Sequence, residues 1–159
     1  MGSLPLALPK ISLGYSIQNN SDNGDIISSF VAGSGGDIID FSTNIAQVGT
    51  NDPTNTFDSD TTIDDTTAFI VSGTDVLQGS SATLTEALNG ITAGTFDGGG
   101  GTIDKIYIGW DNGSDTYIGL VTSDGNNDGF VGDSLTLICT LSGLSDCTTL
   151  TASNFLDFS

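Results

Sequence analysis

Hydrophobic positions in this chain come in short runs, and most runs alternate with polar residues at a period of two. In "DKIYIGW" (Asp104–Trp110), Ile106, Ile108 and Trp110 share one face, and in "TYIGLV" (Thr116–Val121), Ile118 and Leu120 do the same. That period puts alternate side chains on one side of a strand. Between the two runs lies "DNGSD" (Asp111–Asp115), built around Asn112-Gly113, so the unit reads as a β-hairpin with a slightly long loop. "SLTLICTLSG" (Ser134–Gly143) is a further strand, and unbroken alternation places Leu135, Leu137, Cys139 and Leu141 on a single face. "DIISSFV" (Asp25–Val31) and "DIIDFS" (Asp37–Ser42) are short β-rich runs separated by glycine turns, and "AFIVSG" (Ala68–Gly73) reads as a buried strand.

Helical signal is confined to "TLTEALNG" (Thr83–Gly90), near residues 84–89. There Thr83 and Glu86 make a capping box and Gly90 stands where a helix-ending glycine belongs. "NDPTNTFDSDTTIDDTT" (Asn51–Thr67) is polar and Thr-rich and predicts a long surface loop. "FDGGGGT" (Phe96–Thr102) predicts a glycine loop without the Lys and Ser/Thr that a phosphate-binding loop requires. "TLTASNFLDF" (Thr149–Phe158) is an apolar, acid-flanked tail.

Residues 1–20 differ from the rest: they hold Pro5, Pro9 and Lys10 and no acid. They read as an extended N-terminal arm, and residues 21–159 as a single all-β, sandwich-like domain. In Lys10–Gln18, Ile11, Leu13, Tyr15 and Ile17 alternate, so the arm can complete its own sheet or add a strand to a neighbour's edge.

Charge changes the picture. Two basic residues, Lys10 and Lys105, stand against twenty acidic ones, for a net charge of −18, and Glu86 is the one glutamate among the twenty. Asp favours turns, so the acid is carried mostly by loops. This balance argues against nucleic acid and anionic membrane surfaces as partners, because both call for Lys and Arg, and no apolar run is long enough to span a bilayer. The N-terminus lacks the basic region of a secretory signal. A field of this sign repels itself, and calcium is the natural counter-ion, because it takes carboxylate and carbonyl oxygens from loops. The plain alternative is an acidic surface that serves solubility.

With no histidine and two cysteines, a zinc site and a Ser–His–Asp triad are out of reach. Cys139 and Cys147, with seven residues between them and Gly143 near the middle, are expected to form a disulfide in an oxidising compartment; two buried thiols are the alternative. No catalytic set emerges, and the chain reads as a non-enzyme. Trp110 and Tyr117 read as core or sheet-face packing, with a sugar-binding platform as the second reading.

Two stretches carry candidate chemistry. Residues 32–40, "AGSGGDIID", follow the calcium nonapeptide G-G-x-G-x-D-x-U-x with Ala32 at its first position. Gly33 and Gly35 allow the tight turn and present carbonyls, Asp37 supplies the carboxylate, and Ile39 takes the inward apolar position. A dinucleotide fingerprint would need a helix after it, and "DIIDFS" is too short and β-rich for one. Only one good copy is present, so a single site is implied and an extended calcium roll is not. In "DGNNDGFVGD" (Asp124–Asp133), Asp124, Asn126, Asp128 and Gly129 match the front half of an EF-hand loop. Leu135 stands where its bidentate Glu would be, and Asp133 is the substitute. An ordinary hairpin turn without metal is the equal alternative. Asp58, Asp60, Asp64 and Asp65 form the fallback acidic group.

Taken in order, "DIISSFVAGSGGDIIDFS" (25–42), "DKIYIGWDNGSDTYIGLVTSDGNNDG" (104–129) and "LTLICTLSGLSDCTTLTASNF" (135–155) cover a little under half of the chain. This succession resembles the C-terminal modules of RTX-type, type I-secreted bacterial proteins, especially large β-strand-repeat proteins of marine bacteria and cyanobacteria. The resemblance implies an extracellular, calcium-associated all-β module with an uncleaved export signal near its C-terminus. It implies calcium ligands at Asp37 and the Gly33 and Gly35 backbone. The chain departs from the pattern in lacking tandem nonapeptides, in its cysteine pair and in its shortness. The resulting expectation is a calcium-stabilised, self-associating building block of a surface layer, filament or adhesin. A glycan-binding adhesin domain and a C-terminal secretion module are the alternatives.

Overall fold

The computed structural model describes residues 14–16, 24–40, 56–58, 67–71, 76, 78–91, 105–126 and 128–156. Nine strands run through them: β1 Gly14–Ser16, β2 Asp25–Ser28, β3 Ile38–Asp40, β4 Thr56–Asp58, β5 Thr67–Val71, β6 Lys105–Asp111, β7 Thr116–Thr122, β8 Ser134–Ser142 and β9 Phe155–Leu156. Helical structure among the described residues is one turn, α1 (Leu84–Ala87), and three short 3-10 turns. The fold is mainly β, as the alternation predicts.

The strands form a six-stranded sheet, ordered β2-β8-β7-β6-β5-β4, and a three-stranded sheet, ordered β1-β3-β9. The expected hairpin is present in full register, from Lys105 opposite Thr122 to Asp111 opposite Thr116. β8 follows, antiparallel to β7. Every other pairing is parallel. Two of these parallel pairings join distant parts of the sequence: β2 pairs with β8, and β3 with β9.

Two expectations change. Leu135, Leu137, Cys139 and Leu141 do not share a face. The β7–β8 register shifts between Ile118 and Gly119, with Ile118 opposite Cys139 and Gly119 opposite Leu137. Ile138 is the extra residue, and such a bulge reverses the alternation beyond it. Leu135 and Leu137 therefore pack on one side of the sheet, and Cys139 and Leu141 on the other. The polar segment 51–67 contains a strand, β4, where a loop was expected. Of the N-terminal arm, the described part, Gly14–Ser16, pairs within its own chain against Ile38–Asp40. The segment "FDGGGGT" lies outside the described residues.

Two apolar clusters cover the opposite faces of the hairpin. The first joins Ile39 and Phe155 of the three-stranded sheet to Ile27, Tyr107, Ile118, Cys139 and Leu141 of the six-stranded one, with Phe30, Cys147 and Leu150. The second packs Ile106, Ile108, Trp110, Tyr117 and Val121 against Val76, Ala87 and Leu88. The capping box that delivers Ala87 and Leu88 forms as the sequence predicts. Glu86 N–H donates to the Thr83 hydroxyl, and Thr83 N–H donates to Glu86 Oε2 at 2.8 Å. Hydrogen bonding from the Thr83 backbone, then from its hydroxyl, holds the Glu86 carboxyl below its ordinary range. Gly90, at φ +81°, turns the chain away after α1.

Candidate functional site

The nonapeptide turn folds as its residue types dictate. Gly33 and Gly35 take φ of +84° and +76°, the left-handed region glycine enters without strain. A side chain on Gly36 would run into the Val31 carbonyl. Ile39 is fully buried at the inward apolar position. The oxygens of the turn are largely spent within the protein. Asp37 Oδ2 accepts from Val31 N–H at 2.9 Å, and Asp37 N–H donates to the Val31 carbonyl at 2.8 Å. The Gly33 carbonyl accepts from Gly36 N–H at 2.9 Å and from Asn154 Nδ2 at 3.3 Å.

Asn154 is the residue that sequence reasoning passed over. It is fully buried beside β9 and reaches across to the turn before β3. Its Oδ1 accepts from Gly33 N–H at 2.9 Å and Thr151 N–H at 3.0 Å, and its Nδ2 donates to the Asp37 carbonyl at 2.9 Å. A single amide thus fastens residues from both ends of the chain. The T-x-x-N spacing of Thr151 and Asn154 was the available signal, since it is that of a capping box, and one forms there.

The second motif closes the β7–β8 hairpin. Asp124 N–H donates to Asp133 Oδ1 at 2.9 Å, so the first and last acids of the motif meet. Asp124 Oδ1 accepts from Asn126 N–H at 2.9 Å, and Asp124 Oδ2 from Asn126 Nδ2 at 2.7 Å. Asp128 N–H donates to the Asn126 carbonyl, and Asp128 is exposed. Gly132, at φ +86°, leaves room for the folded-back carboxylate: a Cβ there would meet Asp124 Oδ2 at 2.5 Å. Asp124, Asn126 and Asp133 are therefore brought together, with Asp128 alongside. Gly33, Gly35 and Asp37 form a separate turn. Among the described residues no group of three or more acidic or thiol side chains is placed to hold a metal without rearrangement. Asp60, Asp64 and Asp65 lie outside the described residues.

The aspartates have a recurring local use. Asp37, Asp111, Asp115, Asp124, Asp133 and Asp146 each accept a hydrogen bond from a main-chain N–H. Asp111 is the most enclosed, at 5% exposure. Its Oδ1 takes Gly113 N–H at 3.0 Å and its Oδ2 takes Cys147 N–H at 2.9 Å, tying the hairpin turn to the C-terminal segment. Charge that looked like surface decoration thus satisfies backbone donors in turns, the use that suits a short carboxylate.

The expected disulfide is not formed: Cys139 and Cys147 are buried free thiols. Each is held by different neighbours. Cys139 lies on β8 between Asp25 of β2 and Ile118 of β7, while Asp111 takes the main-chain N–H of Cys147. Burial first, and then the charge of Asp25, push the Cys139 thiol up to about 12. Burial and hydrogen bonding to Asp111 raise Cys147 as well. A thiol harder to ionise in the folded than in the unfolded chain stabilises the fold below the unfolded value and loses that contribution as pH rises. The urea midpoint should therefore fall as pH climbs from about 9 toward 12. Cys139→Ala should flatten that slope, and an equal slope in both proteins would remove Cys139 as its cause.

Trp110 and Tyr117 stack at 5.8 Å between centroids and are 1% and 6% exposed. Trp110 Nε1 donates to the Gly79 carbonyl at 3.0 Å, and Tyr117 Oη accepts from Asn112 Nδ2 at 3.0 Å. Their rings are core, as the packing reading has it, and neither offers a face to a sugar. Among the described residues no helix is long and apolar enough to cross a membrane.

Comparison with protein-family models, with curated proteins and with solved structures finds no match to this chain.

Proposed function

We propose that this protein is a calcium-stabilised structural module of an extracellular assembly, sandwich-like in architecture and without catalytic activity. The observation that carries the reading is the β7–β8 hairpin end, where Asp124 and Asp133 are held together with the Asn126 amide against Asp124. Turning that amide over would put Asn126 Oδ1 against Asp124 Oδ2, two acceptors with no proton between them, an arrangement that a cation satisfies. Asp124, Asn126 and Asp133 are the residues that would hold calcium, with Asp128 beside them. The Gly33–Asp37 turn is the weaker candidate, because Asn154 and Val31 already occupy its Gly33 carbonyl and Asp37 Oδ2. The net charge of −18 supplies the wider attraction for cations. The extracellular setting and the export route follow from the RTX-type resemblance.

The test is thermal unfolding in calcium and in chelator at equal ionic strength. A ligand a hundredfold above its Kd stabilises by about 2.7 kcal/mol, which for a domain of this size raises Tm by about 5–10 °C. Asp124→Ala should abolish most of that shift, and Asp37→Ala little of it. Equal melting temperatures in calcium and chelator would overturn the reading.

A further inference from the structure

Among the described residues, one surface with an uncommitted role is the outer edge of β2. This strand lies at one end of the six-stranded sheet, paired with β8, and among the described residues no strand pairs with its other side. Such an edge presents main-chain donors and acceptors to another chain. Its side chains are apolar where exposure is greatest: Ile26 is 73% exposed, and Val31, just beyond the strand, is 59% exposed. Ile27, the alternate residue, is buried in the core and fixes the strand in place.

Charge selects the occupant. Residues 26–36 carry no charged side chain, within a chain of net charge −18. A basic partner would be drawn to the acidic turns, away from this neutral strand. A second copy is the partner that needs a neutral meeting place, because elsewhere like charges oppose it. The strand is also self-complementary. An antiparallel pairing of two β2 edges about a two-fold axis, with Ile26 opposite Ile26 of the second copy, keeps both buried faces on the same side of the joined sheet. It sets Asp25 of each copy opposite Ile27 of the other, so the two carboxylates do not face each other. Opposed β-branched residues are favourable cross-strand pairs.

We infer that the β2 edge is a self-association surface, through which two copies join their six-stranded sheets by antiparallel pairing centred on Ile26. This rests on the reading of the protein as a structural building block and names the surface it uses.

The experiment is sedimentation velocity on the full chain in calcium, over a range of concentrations, for wild type, Ile26→Lys and Thr136→Lys. Both substitutions make the same charge change at exposed strand positions, and both lower the net negative charge, so added repulsion cannot explain a loss. Wild type and Thr136→Lys are expected to show a species of twice the 16.2 kDa chain mass that grows with concentration. Ile26→Lys is expected to remain at the single-chain mass, with circular dichroism unchanged. If Ile26→Lys associates as wild type does, the β2 surface is wrong while the building-block reading stands. If wild type stays monomeric throughout, both the surface and self-association fall, and the calcium effect on Tm is judged separately.

Discussion

Trp110→Ala should cost about 3–5 kcal/mol, the range for deleting a large buried aromatic. Trp110 sits at the middle of the second apolar cluster, and three separate contacts depend on it. Its ring stacks on Tyr117, its cross-strand partner, at 5.8 Å. Its indole N–H satisfies the Gly79 carbonyl, which holds the 3-10 turn at Gly79–Ser81 against the sheet. The far edge of its ring fills the space over Gly119, where a Cβ would meet Trp110 Cζ3 and Leu135 Cδ1, each at 2.8 Å. Glycine on β7 is thus the counterpart of tryptophan on β6, and alanine at 110 would leave a void that neither neighbour can fill. Domains of ordinary size are stable by about 5–15 kcal/mol, so this loss is a large share of the total. Urea unfolding followed by circular dichroism measures it. A change of less than about 1 kcal/mol would mean that the ring is not packed as described.

Asn154→Ala should cost about 2–4 kcal/mol, because the penalty for leaving a buried polar group without its partner is about 1–3 kcal/mol per group and several are affected. The Gly33 and Thr151 N–H groups lose an acceptor and the Asp37 carbonyl loses a donor. Asn154→Asp is the more telling variant. A carboxylate can still accept from Gly33 and Thr151, but its second oxygen faces the Asp37 carbonyl, so its protonated form is favoured in the fold. That raises the folded pKa of the introduced group above its unfolded value. Stability contributed by the proton is present at low pH and lost as pH rises through the folded pKa. The stability of Asn154→Asp relative to Asn154→Ala should therefore improve as pH falls from 7 toward about 4. A pH-independent difference between the two would show that position 154 makes no donated bond to the turn.

Features set by neighbouring residues were legible in the sequence. The Asn112-Gly113 turn and the alternation of Ile106, Ile108 and Trp110 specify the β6–β7 hairpin, and Thr83 with Glu86 specifies the cap of α1, because each involves partners a few residues apart. Features set by distant partners were not. Nothing local in "DIISSFV" says that β2 pairs with β8 in parallel. Nothing in "SLTLICTLSG" marks Ile138 as the residue that breaks the alternation, because a bulge is fixed by the register of the partner strand. For the candidate site, Asp124, Asn126 and Asp133 lie within one short motif, so their neighbourhood at the hairpin end could be read locally. The use of Asp37 and Gly33 by Val31 and Asn154 could not be read, since Asn154 lies far along the chain. The cysteine spacing suited a disulfide, but spacing carries no information about Asp111, which holds the Cys147 main chain.

The pairing of β3 with β9 and of β2 with β8 also bears on how the chain reaches its folded state. The six-stranded sheet cannot gain its full complement of hydrogen bonds until residues near position 140 meet those near 25, nor the three-stranded sheet until residues near 155 meet those near 39. Pairing between distant segments must offset the entropy of closing a long loop before any contact repays it, and topologies of this kind fold slowly. The hairpin of β6 and β7 is the local unit around which early structure can gather. During synthesis β2 and the β9 side of β3 therefore have no strand partner until β8 and β9 have been made.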